Sequence, residues 1–286
     1  MGRRRAPVAR QRAGEVLARL SIAAALGLPV KHHDDGSADG MYDLRVGPSH
    51  APAVAIEVVG AVNSDYVRTW NAGMGRGPVS TSGRSNWLMF LADGTVAERL
   101  RRKLDGVVRR VEQAGWHRRG SGELLRWMGD DWLVQDLNCM GIVALYCTCE
   151  HGSGVVHLAQ QGDGGAPDHA GASLPTWISE FLSRSEMSDV LRKLERSAAP
   201  QRHVYVDVGF KGAPFAVWNY LVGPIERVPV EVPSLPAVVD QVWLATRFTT
   251  PARSAQGVRW DGSSWSTFAC VPATTDPTHN IHDSAW

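Results

Sequence analysis

The sequence predicts an α/β fold in which helices flank a mixed central sheet, with a small β appendage near the C-terminus. Three observations support this class. Residues 8 to 27 place apolar side chains at helical spacing. Two runs, MYDLRV at 41–46 and AVAIEVV at 53–59, have the apolar and β-branched composition of strands. Near the end, VWLATRF and GVRWDGSSWSTFAC alternate and turn as antiparallel strands do.

The elements between these segments complete a predicted core with the order α-β-β-β-α-β. After a glycine-rich loop at 70–86, WLMFLA at 87–92 predicts a third strand of the central sheet, and 95–114 has the apolar stripe of a helix. SDVLRKLERSA and HVYVDVGF predict the last helix and strand of the core. We therefore expect a core over 1–222 with an insertion at about 116–172, a β appendage over 223–271 and a tail over 272–286.

Composition and charge narrow the class of protein. Among 286 residues, 30 basic and 29 acidic side chains give a net charge of +1, which excludes a molecule that is cationic throughout. The basic side chains nevertheless concentrate at the N-terminus and between 76 and 119. The opening segment indicates an amphipathic helix rather than a secretory signal, and no apolar stretch is long enough for a membrane span. Four cysteines are too few for a disulfide framework, so the sequence predicts a cytoplasmic protein with no membrane partner.

Three carboxylates stand out against this background. Asp43 lies in the middle of the first strand, Glu57 is the only charge in the second, and Glu15 lies on the opening helix. An unpaired charge in an apolar strand is costly to bury, so two such residues on successive strands favour a functional role. The simpler alternative is structural: Asp43 would pair with Arg45, Glu57 with Arg19 or Arg68, and Glu15 with Arg19.

This order of elements, with carboxylates on the first helix and the first two strands, resembles the restriction-endonuclease-like PD-(D/E)XK nuclease superfamily. The resemblance implies that Asp43 and Glu57 hold Mg²⁺ or Mn²⁺, with Glu15 in support, for hydrolysis of phosphodiester bonds in nucleic acid. The family places a lysine two residues after the glutamate, where this chain has Val59. We expect Lys31 or Arg68 to supply that cation. If none does, the chain is an inactive nuclease-fold protein that binds nucleic acid or assembles with protein.

Two other regions contain candidate functional residues. Arg76 and Arg84 in the glycine-rich loop, with Arg102 and Arg109 on the helix that follows, predict contacts to a nucleic-acid backbone. A group of zinc-type ligands in the middle of the chain raises the alternative of a small-molecule enzyme, although its spacing lacks paired knuckles. This group comprises Cys139, Cys147, Cys149, His151 and His157.

Overall fold

The computed structural model describes residues 13–34, 39–63, 77–92, 94–118, 124–126, 132–160, 168–209, 211–246 and 256–271. The chain divides into two compact units. The first unit combines Met1–Val62 with Gly164–Ser284, and the second is formed by Asn63–Asp163. The second unit is therefore an insertion between two parts of the first.

The described helices are α1 (Ala13–Leu26), α2 (Ala97–Arg101), α3 (Leu104–Gln113), α4 (Trp132–Cys139), α5 (Leu174–Leu182), α6 (Ser188–Arg196) and α7 (Phe215–Val222). The described strands are β1 (Val30–His32), β2 (Leu44–Val46), β3 (Val54–Ala61), β4 (Val79–Ser80), β5 (Asn86–Leu91), β6 (Leu124–Arg126), β7 (Ile142–Cys149), β8 (Val155–Gln160), β9 (Gln201–Val208), β10 (Gln241–Ala245), β11 (Gln256–Trp260) and β12 (Trp265–Ala269). None of these helices is long and apolar enough to cross a lipid bilayer.

The first unit is built on a seven-stranded mixed sheet in the order β1-β2-β3-β9-β10-β11-β12. β1, β2 and β3 pair antiparallel, β3, β9 and β10 pair parallel, and β11 and β12 add two antiparallel strands. Parallel neighbours require crossover connections. Helices α5 and α6 precede β9, and α7 precedes β10. The predicted mixed sheet flanked by helices is thus confirmed at this level.

Two apolar cores cover the two faces of this sheet. On one face, α1 packs against residues of the sheet that include Leu44, Ile56, Tyr205 and Trp243. On the other face, the core residues of α5, α6 and α7 pack against Ala55, Val59, Val204, Val206 and Val208. Because side chains alternate along a strand, Glu57 belongs to the same face of β3 as Ala55 and Val59. Glu57 is therefore directed to the face that α6 covers.

The second unit has a five-stranded sheet of its own in the order β4-β8-β5-β7-β6. Trp87, Met89 and Leu91 of β5 are fully buried with the apolar stripe of α2 and α3. The predicted stripe is observed at Leu100, Leu104, Val107, Val108 and Val111, whereas Val96 is exposed. This alternation of buried and half-buried residues along β5 is that of a sheet with helices packed on one face.

Three boundaries differ from the sequence prediction. The run at 87–92 belongs to the sheet of the second unit, and the third antiparallel strand of the first sheet is β1, for which no strand was predicted. The inserted unit spans 63–163 rather than 116–172, and β11 and β12 extend the seven-stranded sheet rather than forming a separate appendage. Apolar runs look alike whichever sheet buries them, so local composition could not assign the strands. The predicted tail at 272–286 lies outside the described residues.

A buried histidine in the seven-stranded sheet predicts a loss of stability in acid. Burial, with Arg259 nearby, lowers the pKa of His203 to about 3, and Trp243 Nε1 donates a hydrogen bond to His203 Nδ1 at 3.4 Å. In the unfolded chain this group takes up a proton below its ordinary pKa of 6.5, whereas in the folded protein it stays neutral. The stability that it contributes is therefore present above that value and is lost as the pH falls towards 3.

His203→Gln is expected to reduce this loss of stability at acidic pH. The amide oxygen of glutamine can still accept the hydrogen bond from Trp243, and the side chain cannot ionise. The free energy of unfolding, measured in urea at several pH values between neutral and acidic, should fall less steeply with decreasing pH in His203→Gln than in the wild type. The expected difference in slope is about 1 kcal/mol per pH unit. His157→Gln, at an exposed position, is the matched control. Equal slopes for wild type and His203→Gln would contradict the prediction.

Candidate active site

Asp43 and Glu57 come together on the first unit's sheet. β2 and β3 pair antiparallel, with Leu44 opposite Ile56 and Arg45 opposite Ala55. Asp43, the residue before β2, is therefore opposite Glu57 in the same register. The charge of Asp43 raises the pKa of Glu57, whose side chain is only 3% exposed. Two carboxyl groups that are far from adjacent in sequence thus lie at paired positions of neighbouring chain segments, with Glu57 buried and Asp43 half-buried.

The position of Asp43 is held by the backbone of the neighbouring strand. The Val58 N–H donates to Asp43 Oδ2 at 2.7 Å. Burial raises the pKa of Asp43, and this hydrogen bond opposes the rise because it favours the ionised form. One oxygen of the carboxylate is therefore oriented by the sheet.

Glu57 has the most perturbed electrostatic environment of the pair. Burial, followed by the charge of Asp43, raises the pKa of Glu57 to about 9. Its Oε1 is buried and has no hydrogen-bond partner among the residues that the structure describes. The side chain therefore lacks enough positive charge around it to stay ionised at neutral pH, and a bound cation would supply that charge.

Lys193 on α6 is the cation nearest to this pair in the described ion pairs. Its Nζ lies 3.6 Å from Glu57 Oε1 and 3.9 Å from Asp189 Oδ2. The ammonium lowers the pKa of both Glu57 and Asp43, although burial outweighs it. Val59, at the sequence position where the PD-(D/E)XK pattern has lysine, is buried in the apolar core instead. The structure thus brings a lysine to Glu57 from a helix that follows the inserted unit.

Sequence reasoning missed Lys193, although a signal existed. Val190, Leu191 and Leu194 surround it with the spacing of a helix face that packs on a sheet. A lysine beside such a face can extend its long side chain along the apolar surface to a charged group on the sheet. Here the helix precedes β9, which is parallel to the strand that contains Glu57, so Lys193 can contact the Glu57 carboxyl group. The expected cation Lys31 is instead exposed on β1 and paired in register with Arg45, and Arg68 lies outside the described residues.

Glu15 lies on α1, the helix that packs on the opposite face of the sheet from Glu57. Its Oε2 lies 3.0 Å from His32 Nε2, and this hydrogen bond raises the pKa of His32. The charge of Glu15 also raises the pKa of Asp43. Glu15 therefore contacts His32, and its charge acts on Asp43.

The two carboxylates fit a small hard cation. Within the described parts of the chain, no three His, Cys, Asp or Glu side chains converge on one point. Mg²⁺ is commonly held by one or two carboxylates, with water and substrate phosphate oxygens completing the octahedron. Glu57 Oε1, which accepts no hydrogen bond from a described residue and lies 3.6 Å from Lys193 Nζ, would supply one oxygen ligand, and Asp43 the second.

The other predicted site residues lie in the second unit. Arg84, Arg102 and Arg109 are exposed there, and Arg76 lies outside the described residues. Cys147 is buried on β7, whereas Cys139 and Cys149 are exposed. Among the described residues these cysteines and histidines form no metal-type cluster.

Fold and site together define a mixed α/β protein with a buried pair of carboxylates and an adjacent lysine. No family model, curated protein or solved structure matches the chain. The functional argument therefore depends on the geometry of Asp43, Glu57 and Lys193.

Proposed function

We propose that the first unit hydrolyses phosphodiester bonds in nucleic acid, with Mg²⁺ or Mn²⁺ held by Asp43 and Glu57. The observation that carries the proposal is the buried Asp43–Glu57 pair with Lys193 Nζ 3.6 Å from Glu57. A purely structural ion pair needs one carboxylate for one lysine. Because its pKa is raised to about 9, Glu57 holds a proton beside Asp43 in the metal-free protein, and a bound cation would let both carboxyl groups ionise.

The arrangement of elements also supports the proposal. A helix, α1, precedes three antiparallel strands, and a helical crossover through α5 and α6 leads to β9, which is parallel to β3. This α-β-β-β-α-β order resembles that of the PD-(D/E)XK nucleases, with Asp43 immediately before the second strand and Glu57 on the third. Lys193 takes the part of the lysine that is absent at Val59.

Each residue has a distinct part in the proposed reaction. A divalent cation at this site would polarise the phosphate and lower the pKa of a bound water. Asp43, held by the Val58 amide, would supply one oxygen ligand, and Glu57 would supply the other after releasing its proton to solvent. The Lys193 ammonium orients the attacking water and stabilises the negative charge that develops on the phosphate.

Cleavage assays with the Asp43→Asn variant test this proposal. Purified protein with Mn²⁺ should cut plasmid or single-stranded DNA, and Asp43→Asn should lower the rate by about 100-fold or more, because the amide removes one anionic ligand. Asp39→Asn, an exposed aspartate on the same part of the chain, is the matched control.

Two results would overturn the proposal. Cleavage that Asp43→Asn leaves at the wild-type rate would assign the activity to another site or to a contaminant. Salt-dependent binding of DNA without cleavage in Mg²⁺ or Mn²⁺ would favour the inactive binding module.

A further inference from the structure

The second unit presents a basic cleft on the outer side of α2 and α3. The apolar stripe of these helices is buried against the unit's sheet. On the opposite side an open cleft of about 660 Å³ is lined mainly by Arg102, Lys103, Asp105, Gly106, Arg109 and Arg110. We call this surface the basic cleft.

Part of the charge in the basic cleft is neutralised and part is not. Asp105 pairs with Arg109 at 2.9 Å, and Asp136 of α4 pairs with Arg110. Arg102 and Lys103 are exposed and make no ion pair with any described residue. The cleft therefore has a net positive charge centred on the junction of α2 and α3.

Gly106 leaves the floor of the cleft open. A Cβ placed at this position would meet no heavy atom within 4 Å outside its own helix, so packing does not require glycine. Glycine inside a helix costs about 1 kcal/mol relative to alanine. The missing side chain leaves open space, larger than a methyl group needs, between the Arg102–Lys103 pair and the Arg109–Arg110 pair.

The start of α3 adds a partial positive charge, part of which Asp105 in the first turn offsets. Lys103 is the N-cap residue, and no described side chain caps the helix with a hydrogen bond. Arg102, which ends the preceding helix, lies beside Lys103 at this end, and neither cation makes an ion pair with a described residue.

We propose that the basic cleft binds the phosphate backbone of nucleic acid. Arginine binds phosphate through two parallel hydrogen bonds, and three of the four cations here are arginines. Lys103 and Arg110 are about 10 Å apart along the helix, enough to contact successive phosphates of one strand. This inference rests on the proposed function in one respect: the bound nucleic acid is a substrate only if the first unit is a nuclease.

Metal-free binding measurements test the inference separately from catalysis. The full chain is titrated with fluorescently labelled single-stranded and duplex DNA in EDTA, at several salt concentrations. Arg102→Gln/Lys103→Gln should weaken binding about tenfold or more and lower the slope of log K against log salt by about 1.4–1.8, because two phosphate contacts are lost. Arg192→Gln/Arg227→Gln removes the same charge from exposed positions of the first unit and should leave the affinity within about twofold of wild type.

A substitution at Gly106 provides an independent check. Gly106→Glu places a carboxylate on the floor and should weaken binding as strongly as the double variant. Gly106→Ala favours the helix and leaves the charge unchanged, so it should bind within about twofold of wild type. Both variants keep the four cations.

The outcomes distinguish this inference from the nuclease proposal. Wild-type affinity and salt slope in Arg102→Gln/Lys103→Gln would overturn the basic cleft as the binding surface, even if the protein cuts DNA. Binding to phosphatidylserine vesicles or to polyglutamate with no binding to DNA would also overturn it. Cleft-dependent DNA binding without any cleavage would support the basic cleft and contradict the nuclease proposal alone.

Discussion

Glu57→Gln is expected to abolish metal-dependent cleavage and at the same time to stabilise the folded protein. The amide keeps the shape of the side chain but cannot serve as an anionic ligand, so we expect cleavage to fall by more than about 1,000-fold. Stability should rise because the wild-type carboxyl is buried beside Asp43 and 3% exposed. An opposite change in activity and stability is typical of a residue kept for function.

The stabilisation depends on pH in a defined direction. Glu57 has its pKa raised from 4.5 to about 9, so the folded protein holds a proton that the unfolded chain releases. Below pH 4.5 both states are protonated and Glu57 adds no penalty. Between pH 4.5 and about 9, the unfolded chain is increasingly favoured as the pH rises. Glu57→Gln removes this dependence and should gain about 1–3 kcal/mol at mildly alkaline pH.

Urea unfolding at acidic and alkaline pH, with Mn²⁺ titrations on the same samples, measures both effects. Glu195→Gln, at an exposed position on α6, is the control for the loss of one carboxylate. A destabilised Glu57→Gln variant would show that Glu57 is a structural partner of Lys193. Unchanged cleavage in this variant would remove Glu57 from the reaction.

Lys193→Gln is expected to lower the cleavage rate by about 100- to 1,000-fold while Mn²⁺ still binds. The ammonium, 3.6 Å from Glu57 Oε1, is not a metal ligand, and its removal takes away only the positive charge beside the reacting water. The loss should appear in kcat rather than in KM. Because Lys193 also lowers the pKa of Glu57, the variant should need a higher pH for Mn²⁺ binding.

A neighbouring residue on the same helix provides the control. Arg192→Gln removes one positive charge from an exposed side chain paired with Asp189, and we expect near wild-type cleavage. Lys193→Arg should restore only part of the activity, since a guanidinium has a different shape and donor geometry from an ammonium. Full activity in Lys193→Gln would assign the orientation of water to another group.

Several features of the site were predictable from local sequence. Asp43 and Glu57 are charges within apolar, β-branched runs, and the cost of burying such charges is a local property of each strand. Their meeting followed from the short connection between two strands that pair antiparallel. The basic stretch of α2 and α3 was similarly visible as cations opposite an apolar stripe.

The sheet to which each strand belongs could not be predicted from local sequence. WLMFLA, predicted as a strand of the central sheet, belongs to the sheet of the inserted unit, and VKH, for which no strand was predicted, forms an edge strand of the first sheet. An edge strand needs little apolar surface, so its sequence resembles a turn. Long insertions cost little closure entropy, so nothing in the composition marks residues 63–163 as a separate unit.

The sequence by itself determined the mixed α/β class, the two strand carboxylates and the uneven distribution of basic residues. Only the tertiary structure decided which cation joins the carboxylates. Lys193 reaches Glu57 because β9 pairs parallel to β3 and the crossover that connects them places α6 over the face on which Glu57 lies. A contact of this kind depends on the pairing of strands separated by an entire inserted unit, and periodicity within a single segment contains no information about that pairing.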